Sequence, residues 1–175
     1  MSLGGKTVVI LTANNFEESE FIYPYYRLKE EGADVVVSGL AGEDCTGKHG
    51  LSLKMDKLVA KLDFDSVHTV IVPGGYAPDT LRMNERVQAL VHHVHTRGGI
   101  VAAICHGPWV LVSADLIKGT ACTSFHSIKD DLINAGGLWE NSPVVVSNRI
   151  ITSRSPEDLP AFCKAIISYT SKLNF

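Results

Sequence analysis

The chain of 175 residues alternates short β-branched runs with helical patterns, which predicts a doubly wound α/β sandwich with a mostly parallel sheet. Three observations carry this. Val35-Val36-Val37 is continuous rather than alternating, as expected for a parallel strand covered on both faces. Apolar runs repeatedly stop at glycine or proline and give way to segments with helical spacing. No repeat, low-complexity stretch or linker interrupts the pattern, so residues 1–175 read as one domain, large enough to bury roughly 70% of its unfolded surface. Residues 1–5 read as disordered or partly tag-derived.

In order, Thr7 to Leu11 is a first buried strand, and the loop from Thr12 to Glu18 feeds a helix of about four turns that ends near Gly32. Pro24 should kink that helix unless its first turn restarts at Tyr23 or Pro24, because proline removes a backbone donor. Ala33 to Leu40 is the second strand. Gly42 to Asp56 reads as a loop and short hairpin turning at Gly47-Lys48-His49-Gly50. Thr69 to Val72 is a strand running into Pro73-Gly74-Gly75, and Asp79 to Thr96 reads as one amphipathic helix. Ile100 to Ile104 is the next strand, Trp109 to Leu116 a helix closed by Gly119, and Ala121 to Ser124 a short strand. Lys129 to Ala135 is a helix stopped by Gly136-Gly137. Val144-Val145-Val146 and Ile150 to Ser153 form a hairpin-like pair, and the last helix follows with Ser155 as N-cap and Pro156 in its first turn.

Composition narrows the function. Sixteen basic and nineteen acidic residues give a net charge of -3 with no run of either sign, so no nucleic-acid footprint appears. A small, nearly neutral substrate fits better. No apolar stretch is long enough for a bilayer, and Met1 to Lys6 lacks the apolar core of a secretory signal, so a cytoplasmic location without membrane attachment is expected. Cys45, Cys105, Cys122 and Cys163 lack paired spacing and read as reduced thiols. His92 and His95 share a helix face, but no cysteine or acidic spacing accompanies them; no metal and no cofactor is expected.

Cys105 has the suggestive setting. It ends the Ile100 strand where Gly107-Pro108 opens a helix, and unpaired amides at a helix N-terminus stabilise a thiolate and a neighbouring oxyanion. In doubly wound folds ligands sit beyond the carboxyl ends of the strands. The loops after the first, Val70 and Ile100 strands should therefore bring together a carboxylate from Asn14 to Glu18, amides from Gly74-Gly75, and the thiol and imidazole of Cys105 and His106. On a regular helix or strand those last two side chains would diverge, whereas an irregular elbow lets them meet.

These residues resemble a known family. Ala103-Ile104-Cys105-His106-Gly107-Pro108, Leu11-Thr12-Ala13-Asn14 with Phe16-Glu17, Pro73-Gly74-Gly75-Tyr76-Ala77-Pro78, Gly47-Lys48-His49-Gly50, Ile128-Lys129-Asp130-Asp131 with Ile133-Asn134-Ala135-Gly136, and Ser153-Arg154 with Pro156 look, in order, like the PfpI intracellular proteases of the ThiJ/PfpI superfamily. The resemblance implies a flavodoxin-like sandwich, related to class I glutamine amidotransferases, with Cys105 as nucleophile on a strained elbow. It implies Glu17 at the Cys105 sulfur, with Glu18 and Glu20 as rivals on a solvated helix face. It also implies His106 as acid/base and the amides of Gly75 and His106 as oxyanion hole. Asp79, at a position where the family pattern has glutamate, would supply a third acid from a neighbouring subunit of a homo-oligomer, a dimer or trimer of dimers. Phe125-His126 stands where the family pattern has tyrosine-proline, removing a hydroxyl; His126 reads either as its substitute or as an ordinary loop histidine, and Arg154 as a substrate-carboxylate binder, an oligomer contact or an exposed ion pair. The activity implied is hydrolysis of peptides by attack of the Cys105 thiolate on a carbonyl. The alternatives are glyoxalase or deglycase-type conversion of 2-oxoaldehydes such as methylglyoxal, and a non-catalytic oxidative-stress sensor built on Cys105.

Overall fold

The computed structural model describes residues 2–175. In chain order the elements are β1 (Thr7–Leu11), α1 (Glu18–Glu30), β2 (Asp34–Gly39), β3 (Asp44–Thr46), β4 (Ser52–Lys54), β5 (Lys57–Leu58), β6 (Thr69–Val72), α2 (Ala77–Leu81), α3 (Glu85–Thr96), β7 (Ile100–Ile104), α4 (Pro108–Ser113), β8 (Ala121–Cys122), α5 (Lys129–Asn134), β9 (Leu138–Trp139), β10 (Val144–Ser147), β11 (Ile150–Ser153) and α6 (Leu159–Thr170). Seven strands form one mixed, mostly parallel sheet in the order β10-β11-β7-β6-β1-β2-β5, with β10 the antiparallel member. α1 and α6 pack together on one face, while α3 and α4 cover β6 and β7 from the other. The central strands are accordingly apolar throughout, and every residue of β6 and β7 is buried.

Chain direction places the site. From β1 the chain crosses to β2 on one side and later returns to β6 on the other, so the winding reverses at β1 and leaves a crevice beyond the carboxyl ends of β1 and β6. Loops from both strands are stitched together there. Phe16 bridges Gly75, the Glu17 N–H donates to Gly74 O at 3.1 Å, and the Tyr76 N–H donates to Asn15 O at 2.8 Å. The hairpin of β3 and β4 closes over them through a bond from the Lys48 N–H to Phe16 O at 3.0 Å.

Several elements differ from expectation. α1 begins at Glu18 with Pro24 buried inside it, so of the two readings of Pro24 the restart at Tyr23 or Pro24 is the one that fails. The helix expected over Asp79 to Thr96 is two: Asn84 interrupts it, its side chain accepting from the Arg86 and Val87 N–H groups at 3.0 and 3.2 Å and starting α3 as an N-cap. Ser155 caps no helix; its hydroxyl donates to Glu157 Oε2 at 2.6 Å, and a 3₁₀ turn over Pro156–Asp158 precedes α6. The strand expected over Ala121 to Ser124 is only β8, which pairs with β9 outside the main sheet. Of residues 1–5, Met1 lies outside the described residues, and residues 2–5 form a turn in which Leu3 is buried and its N–H donates to Glu31 O at 2.9 Å. No helix among the described residues is long and apolar enough to cross a membrane.

The cap at Asn84 can be tested alone. Asn84→Ala should lower stability by about 1 kcal/mol in urea unfolding without altering the far-ultraviolet spectrum of the folded protein; an unchanged midpoint would show that the break after α2 does not depend on the cap.

Candidate active site

Cys105 follows the last residue of β7 with a φ of 62°, in the left-handed region that a residue carrying a Cβ rarely occupies. Its N–H is still held by the sheet edge, donating to Ser153 O at 3.1 Å, and its carbonyl accepts from the Phe125 N–H at 2.9 Å. The backbone is therefore clamped on both sides while the thiol turns away from the strand. The amides of Gly75 and His106 donate to the sulfur. That is the amide pair expected from the resemblance, built from the left-handed Gly75 (φ 75°) and the residue after the thiol.

The carboxyl beside the thiol belongs to Glu20. The expected residue, Glu17, sits at the N-cap position of α1 and turns to the cleft rim, where its Oε2 is 2.6 Å from Lys48 Nζ and its Oε1 accepts from Ser19 Oγ at 2.9 Å. Burial alone would raise its pKa, but the Lys48 and Ser19 hydrogen bonds outweigh it and hold Glu17 below the usual carboxylate range. Glu18 is occupied by His49, accepting from its N–H at 2.5 Å and meeting its Nδ1 at 2.7 Å. Glu20 is fully buried. Its Oε2 accepts from the Gly74 N–H at 2.7 Å, and its Oε1 is buried with no hydrogen-bond partner. A Cβ on Gly74 would lie 2.6 Å from both Glu20 Oε2 and Cys105 Cβ and 3.1 Å from Cys105 Sγ, which shows how closely the two groups approach across the bare glycine. The expectation of a solvated helix face fails because Glu20 belongs to the stripe of α1, with Phe21, Pro24 and Leu28, that turns inward.

Burial pushes Glu20 up to about 7, with the charge of Glu17 adding to it and the Gly74 N–H opposing it. Burial, with the neighbouring Glu20 charge, pushes the Cys105 thiol up to about 12, against the Gly75 and His106 amides. The Glu20 charge thus disfavours the thiolate, while the Cys105 contact works against the burial that raises Glu20. The unpartnered Oε1 points the same way, since a buried carboxylate oxygen without a donor is costly whereas a protonated carboxyl can itself donate to a thiolate.

His106 meets the thiol. Its Nδ1 lies 3.2 Å from Cys105 Sγ, so the irregular elbow does bring these neighbours together. Phe125 stacks on the ring at 5.2 Å and Trp109 meets it edge-on at 5.2 Å. Burial lowers its pKa, and the Lys48 charge lowers it further. Its Nε2 is 3.1 Å from Ser127 Oγ. Asp79 is exposed on α2, and among the described residues its carboxylate makes no hydrogen bond or ion pair. His126 faces Trp139 rather than the thiol, with centroids 6.3 Å apart. Arg154 is drawn into a two-pronged bond with Asp158 at 2.8 and 3.0 Å and a third to Asn141 at 2.9 Å, which commits its guanidinium to joining the turn before α6 to the loop between β9 and β10. The thiol opens into a cleft of about 430 Å³ lined by Glu17, Glu20, Lys48, Tyr76, His106 and Phe125. Glu17, Glu18 and His49 group three potential metal ligands, but Glu17 is ion-paired with Lys48 and Glu18 is hydrogen-bonded to His49.

Residues 6–169 match the model of the DJ-1/PfpI family. The chain belongs to that family. It is 42% identical over 160 residues to a Pyrococcus furiosus protein named deglycase PfpI, an alignment covering 91% of this chain and 96% of the relative. It is 41% identical over 158 residues, 90% of this chain and 94% of the relative, to the Bacillus subtilis protein YraA, which is named provisionally as a cysteine protease. Among solved structures, a two-domain protein of Anabaena variabilis with DJ-1/ThiJ/PfpI-like and ferritin-like domains superposes with a TM-score of 0.91 at 39% identity; the match covers 97% of this chain and half of that one. A ThiJ/PfpI domain protein of Brachyspira murdochii, at 22% identity, shares the fold with a TM-score of 0.91, covering 98% and 99% of the two chains.

The raised carboxyl has a thermodynamic consequence. Because Glu20 titrates higher folded than unfolded, the folded state binds more protons between pH 4.5 and about 7, so its contribution is full below that window and is lost as pH rises through it. Urea unfolding at pH 5 and pH 8 should show wild type losing about 2.5 kcal/mol more than Glu20→Gln over that span. Parallel losses in the two proteins would mean that Glu20 titrates normally.

Proposed function

We propose that this DJ-1/PfpI protein is a Cys105-dependent enzyme that converts small 2-oxoaldehydes such as methylglyoxal to 2-hydroxy acids. The observation that carries the reading is the buried Glu20 carboxyl beside the thiol, poised near neutrality. Such a group suits a reaction whose difficult step moves a carbon-bound proton. The relatives named deglycase agree with carbonyl chemistry of this class.

In the proposed sequence the thiol proton passes to Glu20 and the sulfur attacks the aldehyde carbon C1. The C1=O pair becomes an alkoxide, held by the Gly75 and His106 amides and protonated by Glu20. Glu20, again a carboxylate, removes the proton from C1, and that electron pair forms the C1=C2 bond of an enediolate whose charge rests on the C2 oxygen. The open Nδ1 of His106 takes the C1 hydroxyl proton and passes it to the C2 oxygen, C1=O reforms, and Glu20 returns its proton to C2. C1 is thereby oxidised and C2 reduced, with no outside electron acceptor. Water then cleaves the thioester, releasing the hydroxy acid and the Cys105 thiol. Lys48 and Glu17 neutralise one another at the rim, so the cleft favours an uncharged substrate.

Peptide hydrolysis is the second reading, favoured by the contact between Cys105 Sγ and His106 Nδ1 at 3.2 Å. It calls for a third acid, and in this reading Asp79 of a neighbouring copy supplies it. Incubation with methylglyoxal, following lactate, and with a fluorogenic peptide separates the two. Cys105→Ala should reduce lactate formation to background, Glu20→Gln should lower kcat at least about 100-fold, and Glu17→Gln less than about tenfold. Cys105-dependent release of fluorophore without lactate would establish the peptidase. A fall on Glu17→Gln with Glu20→Gln unaffected would return the acid–base role to Glu17, and no turnover of either substrate would leave Cys105 as an oxidant sensor.

A further inference from the structure

A proton-transferring imidazole is defined by the partner of its far nitrogen, which decides where the proton rests on the near one. Among the described residues that partner is the Ser127 hydroxyl, 3.1 Å from Nε2. Its placement is tied to the nucleophile. The Phe125 N–H donates to Cys105 O at 2.9 Å, and the buried Ile128 anchors the 3₁₀ turn over His126–Ile128 that carries Ser127. One short segment thus stacks Phe125 on the imidazole and presents Ser127 at its edge.

We propose that Ser127 is a positioning residue that holds His106 as the Nε2–H tautomer, with Ser127 Oγ accepting and the Nδ1 lone pair directed at the cleft. A hydroxyl can donate or accept, but only acceptance survives the proton transfer assigned to His106. The neutral ring needs an open Nδ1 to receive a proton, and the imidazolium that results has N–H groups on both nitrogens. Ser127 Oγ accepts from Nε2 in both states and directs its own proton to solvent, to which Ser127 is exposed. Being neutral, it fixes the ring without stabilising its charge. His106 therefore stays uncharged at neutral pH and Cys105 stays a thiol until substrate arrives, unlike a cysteine–histidine pair backed by a carboxylate.

The inference rests on Cys105 and His106 as the reacting pair, and its test needs no substrate. Nitrogen-15 spectra of the full chain, with the His106 signals assigned by their loss in His106→Gln, should show a protonated Nε2 and an unprotonated Nδ1. Ser127→Ala should mix the tautomers and Ser127→Thr should restore the single form. Ser127→Asp should raise the His106 pKa by at least about one unit, and should speed alkylation of Cys105 by iodoacetamide at pH 7 at least about fivefold, read against Cys105→Ala. A protonated Nδ1 in wild type, an unaltered tautomer in Ser127→Ala, or an unaltered His106 pKa in Ser127→Asp would overturn the inference. The expected spectra in a protein that makes no lactate would refute the proposed function and leave this assignment standing.

Discussion

The site depends on the missing side chain at Gly74. β6 ends in Pro73-Gly74-Gly75, and the first turn of α1 descends onto that turn closely enough for Glu20 to accept the Gly74 N–H while Cys105 approaches from the neighbouring strand. Any Cβ at Gly74 would collide with both groups, and a Cβ at Gly75 would meet the backbone of Asn15 and Glu17. Two glycines therefore let three strand ends converge on a volume small enough to force a carboxyl against a thiol. The surrounding architecture serves this approach: the reversal of winding at β1 opens the crevice, and the bonds from Phe16, Glu17 and Tyr76 hold its walls at fixed distance.

From that approach follows the electrostatic character. Burial and the neighbouring Glu20 charge keep the proton on the Cys105 thiol, and Glu20, raised to about 7, is the buried acid beside it that titrates nearest neutrality. The charged groups stand further out. Lys48 is bound to Glu17 at the rim, raising its own pKa and lowering that of His106. The interior thus holds a carboxyl able to change protonation near neutrality beside a protonated thiol, while the rim holds a locked ion pair.

The sheet was legible because its strands are buried on both faces and read as unbroken β-branched runs, and the elbow was legible because Ile100 to Ile104 stops so abruptly at Cys105. The helix boundaries were less so. Nothing in the apolar spacing of Asp79 to Thr96 reveals the break, since α2 and α3 each continue an amphipathic pattern; the signal was Asn84 followed by Glu85, a cap inside an apparent helix. Glu17 and Glu20 were hard to tell apart because both lie at the start of the same helical pattern, and the outcome turns on where helical geometry begins. Glu17 has an extended backbone at the N-cap, outside the periodicity, whereas Glu20 lies one turn before the buried Pro24. Ser127 carried no local signal at all, because its meaning comes from a contact with a ring twenty-one residues earlier.

The coupling of Glu20 to Cys105 can be observed directly by isotope-edited infrared titration of the Glu20 carboxyl in wild type and in Cys105→Ala. The expected result in wild type is a protonated-carboxyl band that persists through mildly acid pH and fades with a midpoint near 7. Replacing the thiol should displace that midpoint. A band that fades near the ordinary glutamate value of 4.5, or one that ignores the loss of Cys105, would contradict the coupling on which the site is built.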